Sequence, residues 1–132
     1  MRRQFEEERP PAIESLGALE ERAAPDWGGE TYARGKQAMV DADAAFARRD
    51  YDAALERLRA AAGEIAALQQ RAASTLREAL SAGATALEAG QSAEARRQFS
   101  RAAVIDPANA AAKRGLERAG TLDEGRTLLV QA

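Results

Sequence analysis

Apolar and polar residues recur along this chain with the period of an α-helix rather than that of a strand. The clearest run is Ala54, Leu55, Leu58, Ala61, Ala62, Ile65 and Leu68, which keeps one helix face apolar. Before it, Tyr32, Met39 and Phe46 stand at steps of seven and predict a helix from about Glu30 to Arg48. Nearer the start, Ile13, Leu16 and Leu19 predict a helix opened by Pro10-Pro11 and stopped before Pro25. Residues 1–9, with the run Glu6-Glu7-Glu8, read as a solvated helix face or a frayed end. Asp26-Trp27-Gly28-Gly29 reads as a loop, with Trp27 plugged into the neighbouring core.

Punctuation residues divide the remainder. Asp50-Tyr51-Asp52 supplies side-chain oxygens to cap a helix beginning near Tyr51. Thr75-Leu76-Arg77-Glu78 matches a capping box, so a break is expected near residues 71–74 and a fourth helix from there to about Ala89, ended by Gly90. Ser92 starts a fifth helix, which reaches Ile105 and is stopped by Asp106-Pro107. Asn109 caps a sixth, closed by Gly120 after Ala119. Thr121-Leu122-Asp123-Glu124 then opens a final segment. The expectation is an all-α chain of five to seven helices without strands.

Composition changes the picture of the core. Of 132 residues, 34 are Ala and only 26 are larger apolar ones. Such a core is thin, built from short helices that approach closely. The formal net charge of −2 argues for order rather than disorder. Residues 1–30 carry four Arg against eight acids, while the rest is nearly balanced, so no cationic footprint for nucleic acid is present. No apolar run reaches a membrane span of roughly 20 residues. The Ala and Arg excess suggests a bacterial source, and the cytoplasm is preferred over the periplasm.

Residues 76–107 carry a more specific pattern. Gly83 lies midway along one predicted helix and Gly90 ends it; Ala95, Phe99, Ala102 and Pro107 mark the next. The order resembles a tetratricopeptide repeat: a small residue, then Ala-x-x-x-Phe, then a closing Pro. Ala103-Val104-Ile105-Asp106-Pro107-Ala108-Asn109 resembles the family's passage from one repeat to the next. A weaker copy runs through Asp50-Tyr51-Asp52-Ala53-Ala54-Leu55, with Leu58 and Ala61, and Ala42 as its small residue. Aligning Ala54 with Ala95 sets a period of 41 residues. A third copy forced onto residues 110–132 would place Glu117 at the small position. The resemblance implies a right-handed stack of antiparallel helix hairpins, an α-solenoid fragment with an extra N-terminal helix. Its divisions are residues 1–30 (helix and loop) and 31–132 (repeat domain), with copies at about 35–75 and 76–109 and a capping segment at 110–132.

Chemistry is sparse. The chain has no Cys and no His, which removes the usual thiolate nucleophile, general base and soft metal ligands. Asp41 and Asp43 diverge on a helix; Asp50 and Asp52 serve capping; Arg48-Arg49 and Arg96-Arg97 read as surface charge; Gly28-Gly29 lacks the rest of a phosphate loop. No enzyme, cofactor or metal site is expected.

The resemblance instead implies a protein-interaction scaffold holding a peptide or partner helix in a groove. Lys36, Met39, Asp43 and Phe46 would line it in the first copy, and Arg77, Leu80, Ala84 and Leu87 in the second. Members that grip a C-terminal carboxylate use Lys, Asn and Arg there; this chain departs from them with Met39, Asp43 and Ser81. The alternative is a structural or regulatory segment of a larger protein, packing on its own domains or homodimerising. The acidic start and the apolar end Leu128-Leu129-Val130 favour a segment cut from a longer chain.

Overall fold

The computed structural model describes residues 1–131, with side chains as far as Glu124. The order is α1 (Arg2–Glu21), α2 (Ala24–Trp27), α3 (Gly29–Ala47), α4 (Tyr51–Glu88), α5 (Ser92–Ile105) and α6 (Ala110–Gln131). No strand occurs among the described residues. Two compact units divide between Arg71 and Ala72. The apolar end Leu128-Leu129-Val130 lies outside the described side chains.

In the first unit, α1, α3 and the leading half of α4 share one core, in which Leu16, Leu19, Met39, Leu58, Ile65 and Leu68 are buried. The predicted apolar face of α4 holds except at Ala62, which is exposed. Three expectations about α1 are corrected. The helix does not begin at the prolines: Pro10 and Pro11 lie inside it. Each removes a helical donor, leaving the carbonyls of Glu6 and Glu7, both on exposed residues, without their usual partners. Nor are residues 1–9 merely solvated, since Phe5 is only 3% exposed. It stacks on Phe46 with ring centroids 4.6 Å apart. Finally, the buried stripe is Phe5, Ala12, Leu16 and Leu19, and Ile13 faces out at 38%. A repeat of three drifts around a helix of 3.6 residues per turn, so Ile13 cannot share a face with Leu19.

The supposed loop at residues 26–29 is mostly helical: Asp26 and Trp27 end the single turn α2, and Gly29 begins α3. Trp27 packs against the core as expected and donates its indole N–H to the Arg22 carbonyl at 2.7 Å. Gly28 is a close-approach residue, because a Cβ there would stand 2.5 Å from the Ala24 carbonyl oxygen. Arg71 donates to the Gly28 carbonyl at 2.8 Å. After α3 the chain turns through Arg49 at φ 64°, with Asp50 N–H bonded to the Ala45 carbonyl at 3.0 Å. This is the reversal usually made by glycine. Asp50 Oδ1 then accepts the Ala53 N–H at 3.3 Å, the cap read from sequence.

The predicted break near residues 71–74 is absent, and α4 is continuous. Gln69 to Thr75 contains neither Gly nor Pro, so nothing in the backbone chemistry enforces a stop. Thr75 sits mid-helix and is buried at 7% exposure.

In the second unit α4 ends as expected, with Gly90 at φ 73° and Gln91 N–H bonded back to the Ala86 carbonyl at 2.8 Å. Both ends of α5 match the sequence reading. Asn109 Oδ1 accepts the Ala112 N–H at 2.9 Å and caps α6. However, α6 passes through Gly120 and Thr121 without stopping. The Thr121 hydroxyl donates to the Glu117 carbonyl at 3.0 Å, a mid-helix bond in place of a capping box. Asn109→Ala is therefore expected to cost about 1 kcal/mol, measured by urea unfolding, whereas Thr121→Ala should leave stability nearly unchanged.

Candidate functional site

The floor of the second unit is built around one ring. Phe99 on α5 is 4% exposed, within a cluster that includes Ala86, Ala95 and Ala119. Bare backbone approaches it from two helices. A Cβ on Gly83 of α4 would stand 2.8 Å from the ring, and one on Gly115 of α6 would stand 2.4 Å from it. Real Cβ atoms do not come so close, so both glycines are required for α4 and α6 to close on Phe99. Ala95 and Ala102 are fully buried at 0%, consistent with tight helix crossings.

Above this ring α4 and α6 leave an open cleft of about 200 Å³. Leu80, Ala84 and Leu87 form the α4 wall, at steps of four and three that keep them on one face. Ala111, Arg114 and Arg118 form the α6 wall, with Gly115 between them. Leu80 and Leu87 are partly buried, and Ala84, Arg114 and Arg118 are exposed. Among the described residues no acidic one lines the cleft. Arg77, exposed and one turn before Leu80, continues the α4 wall. Among the described residues none of Arg77, Arg114 and Arg118 forms an ion pair. The neighbouring Arg96 does, with Asp123 at 3.6 Å.

The first four groove candidates lie in a different setting. Met39 is in the core at 6% exposure. Phe46 is half-buried between Phe5 and Tyr51, the latter with centroids 5.3 Å away in an edge contact. Asp43 accepts two hydrogen bonds from Arg9, at 2.8 and 2.9 Å. Lys36 donates to Glu20 at 3.2 Å. This stripe of α3 is thus engaged by α1, whereas Leu80, Ala84 and Leu87 border an open cleft. Sequence reasoning missed Ala111, Arg114, Gly115 and Arg118, since α6 read as a cap. The i, i+4 spacing of Arg114 and Arg118 was the available signal. Counting 34 residues from Gly83 lands on exposed Glu117, but the small residue against Phe99 is Gly115.

Other polar groups serve the fold. Asp41 takes an amide hydrogen bond from Gln37 at 2.9 Å while Asp43 faces Arg9, so the two carboxylates diverge as expected. The described residues contain no group of three or more His, Cys, Asp or Glu placed to hold a metal ion. No described helix is long and apolar enough to cross a membrane. The Tyr32 hydroxyl donates to Glu20 at 2.5 Å. Burial, and then this bond, pushes its ionisation from 10.0 up to about 12. The same bond, with Lys36, holds Glu20 below the usual carboxylate range. Folding favours the neutral phenol. Its contribution to stability is therefore complete below pH 10 and lost as pH rises toward 12. In a Tyr51→Phe background, near-ultraviolet titration should show Tyr32 ionising near pH 12, and Glu20→Gln should lower that midpoint.

Compared with protein-family models, curated proteins and solved structures, the chain matches none. The class defined by fold and site is an all-helical protein of two compact units, one of which carries an open cleft with apolar and cationic walls.

Proposed function

We propose that this protein is an interaction scaffold of the tetratricopeptide type, which holds a peptide or partner helix in the α4–α6 cleft. The open stripe of Leu80, Ala84 and Leu87 beside a second helix carries the reading. A helix laid there would seat its own apolar side chains between the two walls, the groove mode of peptide recognition. The spacing of Gly83, Ala95, Phe99, Ala102 and Pro107 supports a repeat-like hairpin, and the close approach of Gly83 to Phe99 supports the same register. The chain acts by binding rather than by catalysis. It offers neither Cys nor His, and the carboxylates Asp41 and Asp43 point to different partners.

Displayed helical peptides selected on the protein provide the test. Selected peptides are expected to lose affinity by about tenfold or more, roughly 1.4 kcal/mol, on Ala84→Trp, which fills the cleft from an exposed position. Leu80→Asp should do the same. Circular dichroism should show unchanged helix content in Ala84→Trp. Peptides that bind Ala84→Trp as tightly as the parent would overturn the assignment, as would failure to select any helix.

A further inference from the structure

The chemistry of the cleft's occupant can be read from the first unit. The 41-residue offset that aligns Ala54 with Ala95 also carries Lys36, Met39, Asp43 and Phe46 onto Arg77, Leu80, Ala84 and Leu87. In the first unit this stripe is engaged by α1, so the chain itself displays a helix laid against such a surface. That helix is amphipathic and acidic. It sends Phe5, Leu16 and Leu19 into the core, and it carries three Arg against six Glu, a net charge of −3. Two of its acids reach cations on the hairpin beneath: Glu20 meets Lys36 at 3.2 Å, and Glu8 meets Arg59 at 3.0 Å. One contact runs the other way, from Arg9 to Asp43.

The second unit keeps the apolar positions of the stripe and loses its acid, while the off-stripe Arg59 becomes Ser100. Leu80 and Leu87 stand where Met39 and Phe46 stand, and Arg77 replaces Lys36. Ala84 replaces Asp43, which removes the one acid that drew an arginine. Arg114 and Arg118 then add two exposed cations on the facing helix, neither paired with a carboxylate among the described residues. An apolar stripe flanked by Arg77 and faced by a wall that carries Arg114 and Arg118 complements a helix with a bulky apolar stripe and acidic flanks. Resting on the reading of the cleft as a peptide groove, we infer that the α4–α6 cleft takes an acidic amphipathic helix of a partner protein. Leu80, Ala84 and Leu87 receive its apolar stripe, and Arg77, Arg114 and Arg118 receive its carboxylates.

Three fluorescein-labelled synthetic helices test this, sharing one leucine stripe and carrying Glu, Gln or Lys on the flanks. Anisotropy titrations at low and physiological salt should show the Glu helix binding about tenfold more tightly than the Lys helix, with the preference shrinking as salt rises. The double variant Arg114→Glu/Arg118→Glu, both sites being exposed, should keep its circular dichroism and reverse the preference. Equal binding of the Glu and Gln helices, unaffected by the reversal, would overturn the inference and leave the groove reading standing. Failure of all three helices to bind the folded parent protein would remove both. Tighter binding of a duplex oligonucleotide, lost in the double variant, would overturn the inference in favour of a nucleic-acid surface.

Discussion

Gly115→Leu should destabilise the second unit by about 3 kcal/mol, the upper part of the range for overpacked cores. Even the first added carbon would stand 2.4 Å from Phe99, a ring that a Cβ on Gly83 would also approach to 2.8 Å. Urea unfolding monitored by circular dichroism provides the measurement, with Gly63→Ala as the control. A Cβ on Gly63 meets nothing within 4 Å, so alanine there should raise stability by up to about 1 kcal/mol through helix propensity alone. Opposite signs for two glycines in helix interiors would separate packing from propensity. Phe99→Leu should soften the effect of Gly115→Ala, a non-additive pair expected of groups in direct contact. Additivity within error would mean that Phe99 is not what Gly115 accommodates.

Phe5→Ala should lower stability by about 3 kcal/mol, as for a buried phenylalanine elsewhere. Phe5 is the apolar anchor nearest the start of α1, stacked on Phe46, and a smaller side chain would leave that ring uncovered. Ile13→Ala on the same helix should change stability by no more than about 0.5 kcal/mol, being a surface position. Arg9→Ala falls between the two. Its bond to Asp43 is bidentate, but both side chains are about two-fifths exposed, and water screens such pairs. Equal melting of the Phe5→Ala and Ile13→Ala proteins would place α1 outside the core of the first unit.

These cases also show which features local sequence determines. The ends of α5, the glycine stop of α4 and the Asn109 cap were legible because each is decided within a few residues. The false stops share one cause. A hydroxyl three residues before a carboxylate caps a helix only if the backbone has already left the helical region. Thr121 shows the alternative, bonding back to Glu117 within a continuous helix. Phe5 was hidden because a lone aromatic among charged residues has no periodic companion nearby; its partner Phe46 is distant in sequence. The cleft was half legible for a similar reason. The Leu80, Ala84 and Leu87 stripe has helical spacing, but the α6 wall needs the knowledge that Gly115, rather than the residue one repeat after Gly83, meets Phe99.

The alanine-rich interior has a thermodynamic consequence. Among the described residues, 13 of the 23 buried apolar side chains are alanine. An alanine methyl has no rotamers to freeze, so half of this core orders with almost no loss of side-chain entropy. It also covers little apolar surface, and apolar surface is the source of the heat-capacity increment of unfolding. The free-energy curve of this protein against temperature is accordingly flatter than that of a leucine-filled domain of equal length. Its stability changes slowly on cooling as well as on heating, and small helix-to-helix distances do the work that bulky side chains do elsewhere.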